Sequence, residues 1–262
     1  MTIKEKVDLN AQHYRRHSKL QLGLASELLS SYKFKSTATV LDVGCGDGRI
    51  TEEIAERLPK GKVIGIDASE NMIELAKASY PRKEHPNLQF FQSKAEDYKT
   101  KEKFDTIVSF SCFHWVRKAP QALKQLCSYL KPGGDLLILT YPRESKYYQF
   151  MQEALQDYPK YAKLAAYHTM LAILEYKKIL TSCGVEFQKF EARKLHASYK
   201  NKKAIKDYVR GWLASYVPLP ESLHDEYLDL VAEKSLAYAE DLGDSMIHLP
   251  YTALMIRGKK KA

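Results

Sequence analysis

The sequence predicts an α/β protein with a mostly parallel sheet of seven strands, helices on both faces and a helical insert that forms a lid. Two observations lead to this prediction. Up to residue 140, short apolar runs alternate with amphipathic stretches, which is typical of strand–helix–strand units. Beyond residue 140 the chain holds 13 of its 18 tyrosines, and helical patterns there separate two alternating, strand-like runs. The second region therefore has a different structural role.

Five apolar runs in the first region have the length and β-branched content of buried strands. They lie at 39–43, 62–67, 87–93, 104–112 and 135–141. Helical spacing predicts a helix over 69–79, where Ser69 can act as N-cap. A further helix is predicted over 120–130, and the Lys-Pro-Gly-Gly that follows cannot continue it.

The remaining segments are assigned to the lid, to the strands that close the sheet and to a lead helix before the first strand. The lid is expected over about 145–182 and 200–245, the closing strands over about 185–197 and 248–258, and the lead helix over about 8–31. All of them belong to a single domain of residues 1–262.

Composition bounds the class of protein. Apolar residues make up 45% of 262, enough for one large core. No run approaches the roughly 18 apolar residues of a membrane span, and the polar N-terminus lacks the apolar segment of a signal peptide. We therefore expect a cytoplasmic protein. The four cysteines have no metal-ligand spacing, so reduced thiols and no metal are expected.

The net charge of +9 permits a nucleic acid, an acidic protein or an anionic small molecule as partner. The lysines and arginines are spread along the chain and form a dense cluster only in the C-terminal Arg-Gly-Lys-Lys-Lys-Ala. No basic run carries interleaved aromatic residues, which argues against nucleic acid.

A glycine-rich loop follows the first predicted strand. Residues 41–51 read LDVGCGDGRIT and place Gly44, Gly46 and Gly48 between that strand and a helix start. Glycines let backbone N–H groups approach a ligand, and a helix N-terminus favours negative charge. Ligands of such sheets bind at the carboxyl ends of the strands. The loop therefore predicts a nucleotide-type site.

Three details narrow the ligand. Arg49 stands where the dinucleotide-binding fingerprint has its third glycine. Asp42 would repel a pyrophosphate but suits an ammonium group. Asp67, at the end of the second strand, can accept hydrogen bonds from both hydroxyls of a ribose. A ligand with a carboxylate, an ammonium and a ribose is S-adenosylmethionine (SAM).

Four segments carry a family resemblance in the same order. They are VLDVGCGDGRIT (40–51), VIGIDASENMIELAK (63–77), FDTIVSFSCFHWV (104–116) and LKPGGDLLI (130–138). As a set they resemble the class I SAM-dependent methyltransferases, over about residues 35–141. The resemblance implies a Rossmann-like fold, SAM as cofactor and S-adenosylhomocysteine as product.

The resemblance also implies which residues contact SAM. Lys94 stands where the family usually has Asp, so the backbone of Ala95 and the carboxylate of Glu96 are expected at the adenine edge. Gly44 and Gly46 are expected against the methionine part, Asp42 near the ammonium and Asp67 at the ribose. Besides Tyr14 and Gln21 in the lead helix, the expected cofactor-binding residues are Asp42, Gly44, Gly46, Asp67, Ala68, Met72, Ala95, Glu96 and Ser109.

Two further features resemble methyltransferases that esterify carboxylic acids, namely the trans-aconitate, juvenile-hormone-acid and malonyl-carrier-protein enzymes. Tyr14 and Gln21 lie on one face of the lead helix and, by this resemblance, close the pocket over SAM. His114 and Trp115 follow the fourth strand. Trp115 is then a wall between the cofactor and acceptor pockets. His114 either hydrogen-bonds the substrate carboxylate or only makes hydrogen bonds within its own loop.

The expected reaction is methyl ester formation on a small carboxylic acid. A carboxylate is already ionised at pH 7, so it needs no general base. Arg143, after the fifth strand, is a candidate for positioning it, and Arg210 and His196 are weaker ones. The alternatives are an acid bound to an acidic carrier protein, another nitrogen or oxygen acceptor, and a SAM-binding regulator without activity. The sequence leaves the acceptor and the oligomeric state open.

Overall fold

The structure is a computed structural model that describes residues 19–262, with side chains described from residue 23 onward. Its centre is a seven-stranded sheet in the order β3-β2-β1-β4-β5-β7-β6. All neighbouring strands pair in parallel except for β7, which is antiparallel to both of its neighbours. The strands are β1 (Thr39–Val43), β2 (Lys62–Asp67), β3 (Leu88–Gln92), β4 (Phe104–Phe110), β5 (Leu130–Thr140), β6 (Val185–Tyr199) and β7 (Ile247–Lys260). The predicted seven-stranded, mostly parallel sheet is confirmed.

Helices connect these strands on both faces of the sheet. They are α1 (Lys19–Ser30), α2 (Arg49–Glu56), α3 (Glu70–Ser79), α4 (Ala119–Tyr129), α5 (Lys146–Ala154), α6 (Pro159–Ala162), α7 (Ile173–Ser182), α8 (Lys202–Arg210), α9 (Leu213–Tyr216) and α10 (His224–Ser235). Short 3₁₀ turns lie at Phe113–Trp115, Ala166–Thr169, Glu221–Leu223 and Leu236–Tyr238. None of the helices between residues 19 and 262 is long and apolar enough to cross a membrane.

Alternation along the strands builds a core on each face of the sheet. In β1, Val40 packs into one cluster of buried residues and Leu41 into the other. Successive side chains of a strand point to opposite faces, so strands covered on both sides are apolar at nearly every position. The first cluster includes apolar residues of α1, α2 and α3. The second includes apolar residues of α4 and α7.

One edge of the sheet collects every segment that forms the candidate site. The carboxyl ends of β1, β2, β4 and β5 lie there because these strands are parallel. Antiparallel pairing brings the start of β7 and the end of β6 to the same edge, with Thr140 opposite Leu254 and Tyr199 opposite Ile247. Both lid segments, after β5 and between β6 and β7, therefore leave from this edge.

The lid packs as a helical layer on the first core. Helix α10 lies against both α5 and α8, and Tyr227 of α10 is fully buried and donates a hydrogen bond to the Met151 carbonyl at 3.0 Å. Most lid tyrosines serve this packing. Among the buried ones are Tyr158, Tyr216 and Tyr227.

The predicted lid segment 145–182 is divided between the two faces. Helix α7 does not belong to the lid layer, because its Tyr176 and Leu180 are buried in the second core beside α4. The Tyr176 hydroxyl lies 3.3 Å from the Thr140 hydroxyl at the end of β5. Helix α7 is thus the connection that returns the chain to the opposite end of the strands, where the outermost strand β6 begins.

The other predicted strands and helices within residues 19–262 are found in place and differ at their ends, and the part of the predicted lead helix before Lys19 lies outside the described residues. The Ser69 side chain accepts a hydrogen bond from the Met72 N–H, which confirms the predicted N-cap. β5 begins at Leu130 rather than 135, since Leu130 already pairs with Phe104 before a register shift. β6 and β7 are longer than predicted because they pair along their whole length. The four cysteines are free thiols, as expected.

Candidate functional site

The glycine loop after β1 is held against β2 by its own backbone. The N–H groups of Gly44 and Cys45 both donate to the Ile66 carbonyl, at 2.7 and 3.0 Å. A Cβ on Gly44, where φ is +78°, would lie 2.3 Å from Cys112 Cβ, so packing against the protein excludes a side chain there. Gly46, with φ of +54°, has no neighbour within 4 Å of such a Cβ. Gly46 therefore presents its backbone to open space, where a ligand can approach.

Asp67 is anchored at the end of β2, directly beside this loop. Its Oδ2 accepts a hydrogen bond from the Gly46 N–H at 3.0 Å, and its Oδ1 accepts one from the Ser69 N–H at 2.8 Å. Burial raises the pKa of Asp67, and these backbone donors oppose that rise. A carboxylate has about four acceptor sites, so Asp67 retains capacity for hydroxyl donors of a ligand.

Asp42 is buried within β1. Its Oδ2 accepts a hydrogen bond from the Thr51 hydroxyl at 2.7 Å, and the side chain is 2% exposed. Burial raises the pKa of Asp42 to about 7; the Thr51 hydrogen bond lowers it and the nearby Asp67 raises it. A cation bound nearby would favour the ionised form.

Three carboxylates lie close enough to the Cys112 thiol, which packs on the glycine loop, to raise its pKa. The pKa of the Cys112 thiol is raised first by burial and then by the charges of Asp67, Asp42 and Glu96. Glu96 lies in the turn after β3, where Ala95 is buried. Acidic side chains therefore lie on this side of the glycine loop, which favours a ligand that carries positive charge.

Three other residues predicted to bind the cofactor have defined positions. Met72 is buried in the first turn of α3, and the Ala68 carbonyl accepts a hydrogen bond from the Gln92 amide at 3.4 Å. The Ser109 hydroxyl donates to the Val43 carbonyl at 2.8 Å and is fully buried. Its side chain therefore links β4 to β1, and Ser111, two residues on, is the serine that faces open space.

An aromatic cavity of about 570 Å³, including its mouth, adjoins the glycine loop. The two are neighbours because Cys112 packs on Gly44 and the preceding Ser111 lines the cavity. No lining residue in the described part of the chain is Lys, Arg, Asp or Glu. The lining comprises Ser111, His114, Trp115, Tyr141, Ser145, Tyr147, Tyr148, Ala197, Tyr208, Trp212 and Tyr251.

His114 is a buried, neutral imidazole in this lining. Burial lowers its pKa to about 3, and its ring is 4.4 Å from Trp115 and 4.8 Å from Tyr141 between centroids. Its Nδ1 has no hydrogen-bond partner among the described residues. An unpaired buried nitrogen is costly, so this atom is a candidate contact for a bound molecule.

Trp115 lies between the core and the lid. Its ring is 5.4 Å from that of Trp212 and 6.4 Å from that of Tyr148. Trp115 and Trp212 both line the cavity, and the role of Trp115 as a wall between the cofactor and acceptor pockets stays a prediction.

Arg143 does not line the cavity, in contrast to the expectation for a group that positions the substrate. Its guanidinium donates to Glu175 at 3.3 Å and to the Met170 carbonyl at 3.4 Å, and its side chain is 40% exposed. Arg210 pairs with Asp225 and His196 with Glu240. Neither side chain lines the cavity, and each instead pairs with an acidic residue of the lid region.

Tyr14 and Gln21 lie outside the residues whose side chains the structure describes. Sequence reasoning missed several lining residues, among them Ser145, Tyr147, Tyr148 and Tyr251. The enrichment of tyrosine beyond residue 140 was the available signal, but it did not distinguish these tyrosines from those that pack the lid.

Comparison with known proteins identifies the family. Residues 34–206 match the methyltransferase domain family. The chain belongs to this family. It is a SAM-dependent methyltransferase, and the open backbone at Gly46 and the carboxylates of Asp42, Asp67 and Glu96 fit the ribose and the positive charge of SAM.

Individual relatives are distant. The juvenile hormone acid O-methyltransferase of Drosophila melanogaster is 26% identical over an alignment of 271 positions that covers 96% of this chain and 90% of that one. The malonyl-[acyl-carrier protein] O-methyltransferase of Bacillus anthracis is 29% identical over 147 residues; the match covers 55% of this chain and only about half, 54%, of that enzyme. Among solved structures, the YcgJ protein of Bacillus subtilis has a TM-score of 0.65 at 18% identity, covering 93% of this chain and 99% of that one.

Two glycine variants separate folding from SAM binding. Gly44→Ala forces a Cβ against Cys112 and should lower the free energy of unfolding by about 2–4 kcal/mol. Gly46→Ala should cost about 1 kcal/mol but weaken SAM binding, since its Cβ projects to where the ligand lies. Thermal unfolding and calorimetry with S-adenosylhomocysteine would measure both. Equal stability of the two variants would contradict the packing argument.

Asp67→Ala should weaken SAM binding severely while the protein stays folded. Hydrogen bonds to a charged group contribute about 1.5–3 kcal/mol, so a loss of roughly 10- to 100-fold in affinity is expected. Calorimetry on the folded variant is the measurement, with Asp67→Asn as a control that keeps the shape but not the charge. Unchanged affinity in folded Asp67→Ala would show that the cofactor assignment at this residue is wrong.

SAM affinity should rise as the pH increases through about 7. The pKa of Asp42 in the free protein is raised to about 7, and only the ionised carboxylate attracts the ammonium. Titrations with S-adenosylhomocysteine between pH 5.5 and 8 would show the rise. Asp42→Asn should flatten it. Thr51→Val should move the rise to higher pH. The hydrogen bond from Thr51 lowers the Asp42 pKa in the wild type, so its removal should raise that pKa. A profile unaffected by either variant would contradict this role.

Proposed function

We propose that the protein transfers the methyl group of SAM to a carboxylate oxygen of a small, largely apolar organic acid, giving a methyl ester. The proposal rests on the aromatic cavity beside the SAM site. Its lining in the described chain has no charged side chain and no group suited to take up a proton near pH 7.

The described lining residues include no general base, which bears on the kind of acceptor that suits them. The pKa of His114 is lowered to about 3 and that of Tyr141 is raised to about 12, both by burial. Near neutral pH the imidazole is therefore a poor proton acceptor, and the phenol is a donor. A hydroxyl or ammonium acceptor must lose a proton during methylation. A carboxylate is already deprotonated, so it suits this site.

The neutral lining also fits the change in charge during the reaction. When bound, SAM supplies a methyl group on a positively charged sulfur. The O–CH₃ bond forms as the S–CH₃ bond breaks, the electron pair stays on sulfur, and the carboxylate loses its charge. An arginine in the cavity would stabilise the starting carboxylate more than the less charged transition state. Aromatic walls bind the body of the acid without that effect.

His114 and Trp115 are proposed to position the acceptor, with His114 in the first of the two roles that the sequence left open. A neutral imidazole has one N–H donor and one acceptor nitrogen, so His114 can donate a hydrogen bond to the acid. Trp115 separates the acceptor from the cofactor and holds it against the lid. Tyr14 and Gln21 are proposed to cover the cofactor side. Positioning of this kind can supply roughly 7–11 kcal/mol of the barrier reduction.

An acid bound to an acidic carrier protein is the alternative, and the similarity to the Bacillus anthracis malonyl-[acyl-carrier protein] O-methyltransferase supports it. Such a partner would need exposed positive charge beside the cavity. On α8, which carries the lining residue Tyr208, three of the four basic side chains pair with acids of α10, and the fourth, Lys203, pairs with Asp207 of α8 itself. The pairs with α10 are Lys202–Glu233, Lys206–Asp229 and Arg210–Asp225. The neutralised surface favours a free small acid, as in the name of the Drosophila relative.

Methyl transfer from radiolabelled SAM to a panel of acids would test the proposal. The panel would contain trans-aconitate, fatty and terpenoid acids, and malonyl-carrier protein, with the corresponding alcohols as controls. We expect labelled product from an acid and none from its alcohol, and release of volatile methanol in mild alkali.

Label on the carrier protein alone would favour the alternative. Label on any compound that resists alkali would contradict ester formation, and so would the absence of product from a protein that binds S-adenosylhomocysteine.

A further inference from the structure

Ser111 has an unusual backbone conformation at the edge of the cavity. Its φ is +56°, and among residues 19–262 no other residue except glycine has a positive φ. This left-handed region is unfavourable for a residue with a Cβ. The backbone is held by a hydrogen bond from the Ser111 N–H to the Leu139 carbonyl at 2.8 Å, which continues the pairing of β4 with β5. Strain of this kind persists where the surrounding structure imposes it, often at functional sites.

The conformation brings two hydroxyl groups together. The Ser111 Oγ lies 3.2 Å from the Oη of Tyr141, the residue next to the end of β5. Both line the cavity. The Tyr141 ring makes edge contacts with His114 and Tyr251, with centroids 4.8 and 5.9 Å away, so its hydroxyl is fixed in direction. Among the described residues neither hydroxyl has a second side-chain partner.

Two bonded hydroxyls leave one proton to donate. Each hydroxyl carries a single O–H, and one of them is used between Ser111 and Tyr141. The other O–H can donate into the cavity, and the first bond polarises it. Because the pKa of Tyr141 is raised to about 12 by burial, the pair keeps both protons near neutral pH. The pair therefore offers a neutral hydrogen-bond donor to an anion.

We propose that Ser111 and Tyr141 form a donor pair that holds one oxygen of the acceptor carboxylate and leaves the other oxygen free to attack the methyl group. This inference rests on the proposed function and adds the residues that orient the acceptor. A carboxylate has two equivalent oxygens, so one can be bound while the other reacts. A single-oxygen acceptor could not use the pair in this way.

Three variants test the pair. Ser111→Gly removes the hydroxyl and also permits the positive φ, so we expect a Tm no lower than that of the wild type. Its kcat/KM for the acid should fall roughly 10- to 100-fold, as for a lost hydrogen bond to a charged group. Tyr141→Phe should give a similar loss. Because the hydroxyls act as one unit, the double variant should lose little more than either single variant.

Affinity for S-adenosylhomocysteine should be unchanged in all three variants, which would place the effect on the acceptor. Tyr227→Phe is a matched control, since it removes a tyrosine hydroxyl bonded to the Met151 carbonyl and lies away from the cavity. It should lower Tm and leave kcat/KM unchanged.

The outcomes separate the pair from the proposed function. If the wild type forms a methyl ester and Ser111→Gly or Tyr141→Phe keeps full kcat/KM, the proposed role of the pair is wrong, whereas the proposed function is retained. A double-variant loss equal to the product of the single losses would show two independent hydroxyls and would also overturn the pair. If the wild type esterifies no acid, the proposed function and the pair both fail.

Discussion

The parallel pairing of β1 with β2 and β4 is the constraint on which the rest of the site depends. It places the carboxyl ends of these strands at one edge, so that the glycine loop, Asp67 and Ser111 become neighbours although 67 residues separate Gly44 from Ser111. The loop then bonds to β2 through Ile66 and packs on Cys112. A change in the register of any of these strands would separate the glycine loop and Asp67 from the cavity.

The edge is divided into two electrostatic regions. Around the glycine loop, Asp42, Asp67 and Glu96 provide negative charge for a cofactor that carries positive charge. The adjoining cavity is neutral and aromatic over its described lining. Charges interact more strongly where water is excluded. The loss of charge during methyl transfer therefore has a larger effect on the reaction free energy in such a cavity than in water. The division matches a reaction in which a cation and an anion give two neutral groups.

The helices of the lid both stabilise this layer of the fold and supply residues that line the cavity. Helix α8 presents Tyr208 to the cavity and three of its four basic residues to the acids of α10. Exposed ion pairs contribute little individually, so the apolar packing of Tyr227 and its neighbours carries most of the stability of the lid. The charge of +9, which suggested an acidic partner in the sequence, is in this region largely balanced by local pairs.

The sequence by itself determined the sheet, the glycine loop, the SAM cofactor and the methyltransferase class, because these depend on local patterns of apolar residues, glycines and acids. The tertiary structure decided the rest. It placed α7 on the opposite face from the lid, directed Arg143 to Glu175 rather than to the cavity, and brought Ser111 beside Tyr141 in the cavity lining. It also separated the tyrosines that line the cavity from those that pack the lid. These properties depend on which distant segments meet at one edge of the sheet, and the local sequence around each residue does not contain that information.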